Sequence, residues 1–306
     1  MNPSIRRGGA CALYLLLTSL LTAQVDSSFI YQYDPLRHDV AGFVTLQRTQ
    51  ISFRGAEGES GLFQNYNFGV GVRYRWRGIG LALAVPVVPL GAAEETKPRA
   101  FSSALQLFPG KWYIRAEGTL LSGFNTPDES RADDKMLFTR LNALYLLNAE
   151  RFSGRSSMNF VNRQQRSAGS WVLQGIGGYL RYRTEGGLPL ALDGQPDFRL
   201  RTYDHVHIGA GGGYGYNWIF GRFSLATVAT AWAEVRFYDF ADAAGGGDGL
   251  QTIWRPRFQT ISSLSWQPRD TYYGAIFRWR PRSTAPVEPV ARYQQWWLRL
   301  MVGRRF

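Results

Sequence analysis

The stretch Tyr203–Phe237, YDHVHIGAGGGYGYNWIFGRFSLATVATAWAEVRF, alternates in kind along two long runs joined by one tight turn. One set is Val206, Ile208, Ala210, Gly212, Tyr214, Tyr216 and Trp218, continued after the turn by Phe223, Leu225, Thr227, Ala229, Ala231, Ala233, Val235 and Phe237. Every member tolerates lipid. The complementary set begins His205, His207, Gly209, Gly211, Gly213 and Gly215 and ends with Trp232, Glu234 and Arg236, mixing small, polar and charged side chains. A period of two over two runs means extended strands with one apolar face. A soluble sandwich would carry more Lys, Glu and Thr on its outer face than this glycine row does. A membrane barrel fits better, with apolar side chains toward lipid and small or polar ones toward the lumen.

Outward from that hairpin, the amino terminus MNPSIRRGGACALYLLLTSLLTAQ pairs Arg6 and Arg7 with an apolar run that ends before Ala23. This is the pattern of a secretory signal, too short to span a bilayer, with cleavage expected after Ala23. The one cysteine, Cys11, falls inside it, so a mature chain has neither disulfide nor thiol chemistry. The expected division is residues 1–23 as signal peptide, 24–40 as a periplasmic segment and 41–306 as one barrel. The formal charge is +12, and losing the two signal arginines leaves +10. In an exported chain such a balance points away from nucleic acid and toward phosphate groups of outer-membrane lipid and lipopolysaccharide.

Along the chain, alternating runs predict twelve strands at about 41–53, 66–76, 79–85, 99–108, 112–121, 136–148, 168–183, the opening pair, 257–266, 271–280 and 293–306. The count is even, as a bacterial single-chain barrel requires, and the fold class is all-β: an up-and-down transmembrane barrel of about 12 antiparallel strands. Joins after the second, fourth, eighth and tenth strands take about two to four residues, against about 12 to 19 on the other side, where Ser122–Lys135, Leu188–Phe198 and Ala241–Leu250 are expected in external loops. Trp76, Trp112, Trp218 and Trp266 gather near the short turns, where an interfacial belt belongs. The terminal Phe306, closing an alternating last strand, resembles the insertion signal read by barrel assembly machinery, although Arg304 interrupts the alternation.

Chemistry is sparse. The lumen candidates are His205, His207, Glu117, Arg115, Glu234 and Arg236. The two histidines share a strand face about 7 Å apart, and Glu234 or Glu117 would be needed as a third metal ligand. Ordinary lumen residues are the simpler reading, and no metal or cofactor is expected. A lipid-cleaving Ser/His/acid site would need its histidine on the lipid face, whereas these histidines are assigned to the lumen. Arg151–Ser167 is the exception among the joins, a long connection on the short-turn side. It is expected to fold into or across the barrel mouth, with Arg151, Arg155, Arg163 and Arg166 reaching Glu117 and Glu234, and with the glycine row giving room.

The stretch Arg151–Ser170, RFSGRSSMNFVNRQQRSAGS, carries a family resemblance through Phe152-Ser153, Arg163-Gln164 and Ser167-Ala168-Gly169-Ser170. It resembles an uncharacterised outer-membrane barrel family of the Bacteroidetes, domain of unknown function 4421, departing from its pattern at Gly154 and Asn162. The resemblance implies location and fold only. The leading functional expectation is a non-enzymatic, porin-like outer-membrane protein: a narrow or plugged channel, or a structural or surface-interaction barrel. The alternative is a lipid- or lipopolysaccharide-modifying enzyme. Oligomeric state is open.

Overall fold

The computed structural model describes residues 25–34, 36–55, 58–90, 99–125, 130–160, 162–189, 198–242, 251–281 and 290–306. In chain order the elements are β1 Ile30–Tyr31, β2 Asp39–Gly55, β3 Gly58–Trp76, β4 Ile79–Leu90, β5 Arg99–Leu107, β6 Trp112–Asn125 and β7 Ser130–Leu146. They continue with α1 Gly154–Asn159, β8 Arg163–Gln164, β9 Ala168–Pro189, β10 Arg199–Phe220, β11 Phe223–Asp242, β12 Gln251–Trp266, β13 Thr271–Arg280 and β14 Val290–Arg305. The expected signal peptide, residues 1–23, lies outside the described residues.

Twelve strands close into one antiparallel barrel in the order β10-β11-β12-β13-β14-β2-β3-β4-β5-β6-β7-β9, leaving β1 and β8 as a separate pair. Closure is made by β14 on β2, in a ladder running from Val290↔Arg54 to Arg305↔Asp39. A closed sheet has no edge, so every strand finds backbone partners on both sides.

The alternation resolves as predicted for the opening hairpin. Val206 and Ile208 are exposed while His205 and His207 are buried. The outward belt continues through Val70, Val72, Leu81, Leu83, Leu225, Leu264, Leu300 and Val302, all exposed. Near the short turns it is edged by Trp76, Trp218, Trp266 and Tyr273, with Trp266 and Tyr273 stacked at 5.3 Å. Toward the opposite end stand Trp254, Trp279 and Phe258, the last two edge to face at 6.2 Å. These are the two girdles of a membrane-spanning barrel.

The expected long loops are partly corrected. β2 and β3 run to Gly55 and from Gly58, leaving residues 56–57 as their join, and β6 and β7 take up most of Ser122–Lys135 through pairs such as Asn125↔Ser130. Strand pairing beyond the apolar belt satisfies backbone groups that a loop would leave to water, so the polar ends of these hairpins stay in the sheet. The tip at 126–129 and residues 243–250 of the Ala241–Leu250 loop fall outside the described residues. The short joins hold as read: Arg77-Gly78 turns with φ 50° and 83° at its two central residues, the pair of positive values that a two-residue hairpin requires.

The interior is filled in layers. Near the short turns Phe43, Phe108, Tyr113, Leu144, Leu146 and Tyr272 pack with Phe152, Met158 and Phe160 from the connection after β7. Toward the other end Met136, Phe138, Tyr182, Tyr203, Tyr238 and Phe240 form a second apolar layer. Charged side chains lie between.

Candidate functional site

The connection between β7 and β9 enters the barrel mouth. Ser153 caps α1 by accepting from the Ser156 N–H at 3.0 Å, and Phe160 ends the helix in a left-handed conformation at φ 58°. This one-and-a-half-turn helix is buried along nearly its whole length, a burial that such a short segment cannot maintain without partners for its backbone. The wall supplies them. Arg73 donates to the Asn159 carbonyl at 2.8 Å, Arg305 donates to the Phe160 carbonyl, and the Ser263 hydroxyl donates to the Ser157 carbonyl. Ser157 in turn donates to Asn217 Oδ1 at 3.0 Å. Two guanidinium groups at the helix carboxyl end also meet its partial negative charge.

The residues that carried the family resemblance build this plug. Phe152 is fully buried against Gly215, where an added Cβ would lie 2.8 Å from the ring. Gln164 ties the segment together: its carbonyl oxygen accepts from Ser153 N at 2.9 Å and Asn217 Nδ2 at 3.3 Å, while its amide donates to the Arg151 and Arg166 carbonyls at 2.6 and 2.9 Å. Ser167 Oγ accepts from Ile219 N, Ser170 Oγ accepts from Asn148 N, and Asn148 donates to the Gly169 carbonyl. Ala168 pairs with Asn217 at the start of β9, and Arg163 pairs with Tyr31 across the small β1–β8 sheet.

The residues before β2 strap the plug from below. Asp26 N donates to the Glu150 carbonyl, and Gln165 N to the Phe29 carbonyl at 2.7 Å. Arg151 and Arg166 sit over the Phe29 ring. The Asp26 carboxyl is held below the usual carboxylate range, first by hydrogen bonds from Ser28 and then by the charge of Arg151. Arg155, which donates to the Phe108 carbonyl, has its pKa pushed down by burial.

Two expectations are corrected here. The plug arginines do not reach Glu117 and Glu234: Arg151 pairs with Asp26 at 3.7 Å and Arg155 turns to a backbone carbonyl. The acids are taken by wall arginines, which approach from adjoining and facing strands without any helix having to span the lumen. Likewise, most of the glycine row gives no room to the plug. Cβ atoms at Gly209 and Gly211 would strike Trp232 and the β11 backbone, and one at Gly213 the Ala229 carbonyl. Only Gly215 faces the plug. The glycine that seats Phe160 is Gly274, whose added Cβ would lie 2.1 Å from the ring.

All six lumen candidates point inward. Glu117 on β6 takes Arg115 Nε at 2.8 Å, Arg278 and Arg280 at 3.5 Å each and Arg140 at 3.8 Å. Arg278 and Arg280 belong to β13, which has five strands between it and β6 in either direction, so these contacts cross the full lumen. Glu234 takes Arg236 at 2.6 Å and Arg257 at 3.7 Å. The His205 and His207 rings lie beside it, 5.4 Å apart and tilted by 52° to one another, and His207 leans over Gly178. Among the described residues no three His, Cys, Asp or Glu side chains come together as metal ligands. A third acid went unnoticed in the sequence: Asp39, fully buried, accepts from Arg73 at 3.1 Å and from the Tyr272 hydroxyl at 2.8 Å, with Arg75 at 3.6 Å and Arg305 at 3.8 Å. Its one available signal was an acid two residues before the first predicted strand, at the position where β2 begins.

The family model Domain of unknown function (DUF4421) matches residues 24–239, and the chain belongs to that family. The matched region holds the strap, the plug and the strands through most of β11. No curated protein matches the sequence. Among solved structures the chain is similar to the outer membrane protease OmpT from Escherichia coli, at 10% identity over 92% of this chain and 99% of that one, with a TM-score of 0.35. It is similar also to an outer membrane channel from Pseudomonas putida F1, at 14% identity over 90% and 98% with a TM-score of 0.39. The P. putida toluene transporter TodX aligns at 11% identity over 94% and 93% with a TM-score of 0.24.

Proposed function

We propose that this member of the family is an exported outer-membrane barrel that rests closed, a non-enzymatic plugged channel whose opening requires the 151–167 segment to leave the mouth. The observation that carries the reading is the burial of Phe152–Phe160 inside the barrel on wall hydrogen bonds. Lipid and lipopolysaccharide are its surroundings, and the exposed apolar belt between two aromatic girdles supports that placement. Closure has three parts in series: the plug, the Glu117 contacts to β13, and the apolar layer around Tyr203 and Tyr238.

Planar-bilayer recording tests this. The intact protein is expected to show no stable open level. Replacing Ser153–Gln165 with a short Gly-Ser turn is expected to produce transient openings, which lengthen when Glu117→Ala removes the bridge as well. A stable ohmic pore in the intact protein, or identical traces from all three folded forms, would sink the reading.

A further inference from the structure

Between the plug and the outer apolar layer lies a cavity on one side of the lumen, bounded by Arg115, Glu117 and Arg299 and by the small side chains of β4 and β5. It offers about 50 Å³ to the centres of water-sized atoms. At roughly 10–15 Å³ per water, that is room for about four waters, or for one tetrahedral ion of five heavy atoms.

The charged lining is Arg115, Arg299 and Glu117, and further arginines gather on that carboxylate from outside the lining. Glu117 is shared among Arg115, Arg140, Arg278 and Arg280, all at least nine-tenths buried. Arg299 adds a fifth guanidinium that no described carboxylate pairs. Its orientation is fixed without its charge being met: Nε donates to Thr45 Oγ1 at 3.1 Å, and the group lies 4.0 Å from the Phe43 ring centre and 5.0 Å from that of Trp297. With Glu117 already shared among four arginines, an inward-facing Arg299 without a described carboxylate of its own is costly unless a further anion is supplied.

The lining also carries hydroxyl and amide groups able to donate, beside the rings of Phe43, Phe138 and Trp297. Ser102 and Thr119 hydroxyls lie 3.2 Å apart at the wall. The Gln295 carbonyl oxygen is already taken by Arg280 at 3.2 Å, which leaves its amide N–H groups to donate. Around Glu117, outside the lining itself, Arg278 Nε, Arg280 Nη2 and Arg140 Nε are buried donor atoms without a protein hydrogen-bond partner. The opposite wall is Ala82, Ala84 and Ala104, whose small size opens the space.

We infer that this chamber binds a free tetrahedral oxyanion, phosphate or sulfate, with Arg299 as its principal ligand and the Arg115–Glu117 pair holding one side. Guanidinium groups match such oxygens in geometry, and charge-assisted bonds in a dry site are the strong ones. The plug and the apolar layer bound the chamber along the lumen, and the ion enters as the chain folds or as the plug undocks.

The test uses the full barrel refolded from denaturant in lipid-free detergent, so that no headgroup phosphate is present. Radiolabelled inorganic phosphate is added during refolding, and retention is measured by equilibrium dialysis at constant ionic strength in chloride. About one phosphate per folded chain is expected, competed by sulfate and not by chloride. Arg299→Gln should weaken retention roughly tenfold or more, while Arg222→Gln, at an exposed turn position, should leave it unchanged. Should the Arg299 variant fail to fold, Ala84→Leu fills the cavity with every charge in place and should abolish retention in a heat-modifiable barrel. No retention by the folded wild type, equal retention by the Arg222 and Arg299 variants, or full retention by Ala84→Leu overturns the inference. Each of these is independent of whether the barrel conducts.

Discussion

Gly274→Ala should undock the plug without opening the sheet. An added Cβ would lie 2.1, 2.5 and 2.8 Å from three ring atoms of Phe160, where ordinary contact is 3.4–4 Å. The ring must therefore move by more than about 1 Å. It has nowhere to go, since it is fully buried, its backbone is already left-handed at φ 58°, its N–H donates to the Ser156 carbonyl at 3.2 Å and its carbonyl is held by Arg305. Overpacking of this kind costs about 1–3 kcal/mol, and the strain falls on docking because the β13 backbone is locked between β12 and β14. The docked-to-undocked ratio should then fall roughly 5- to 150-fold. Ser156→Cys in a Cys11→Ser background reports it, since the Ser156 hydroxyl is buried and makes no hydrogen bond that the thiol would lose. Labelling by a membrane-impermeant maleimide should accelerate by that factor, tracking the open population when opening is fast. Adding Phe160→Ala should give less than the summed effects of the two single changes, because the clash is gone. An unchanged labelling rate in a heat-modifiable Gly274→Ala barrel would refute the reasoning.

Gln164→Ala leaves the buried Asn217 amide and the Ser153 N–H without their acceptor, and at ~1–3 kcal/mol for each stranded group it should raise thiol labelling at least as much as Gly274→Ala. Gln164→Glu keeps the acceptor and should cost less at the Ser153 N–H, with loss of the Arg151 and Arg166 carbonyl contacts read by protease sensitivity at 151–167. Glu117→Gln strips the shared carboxylate from four buried arginines, and breaking a buried pair costs about 3–5 kcal/mol. The folded band on a heat-modifiability gel should accordingly disappear at a lower urea concentration. Deleting Trp296–Phe306 removes the ladder that closes β14 on β2 from Arg48 to Asp39. That truncation should accumulate misassembled in the periplasm, and normal amounts of membrane-inserted protein would count against Phe306 as part of an insertion signal.

The strands were legible in the sequence because a strand announces itself locally. Val206, Ile208 and Ala210 against His205, His207 and Gly209 state a period and a facing direction within a few residues, whatever the rest of the chain does. The count of twelve and the short turns follow from repeating that reading. The position of the plug was legible for a related reason: Arg151–Ser167 is long where its neighbours are tight. What fills and pairs inside the barrel was not legible. Glu117 meets Arg278 and Arg280 because six strands on from β6 the closing sheet returns to the facing wall. Such a contact depends on strand number, tilt and register together and on no spacing within the chain. The same holds for Asp39, which meets Arg305 only because β14 seals against β2, and for Phe160, whose seat is the bare backbone of Gly274. Hydrophobic alternation by itself decides that there is a wall and which side of it faces lipid. Closure alone decides which charges share the enclosed space, because only then do residues far apart in the chain become neighbours.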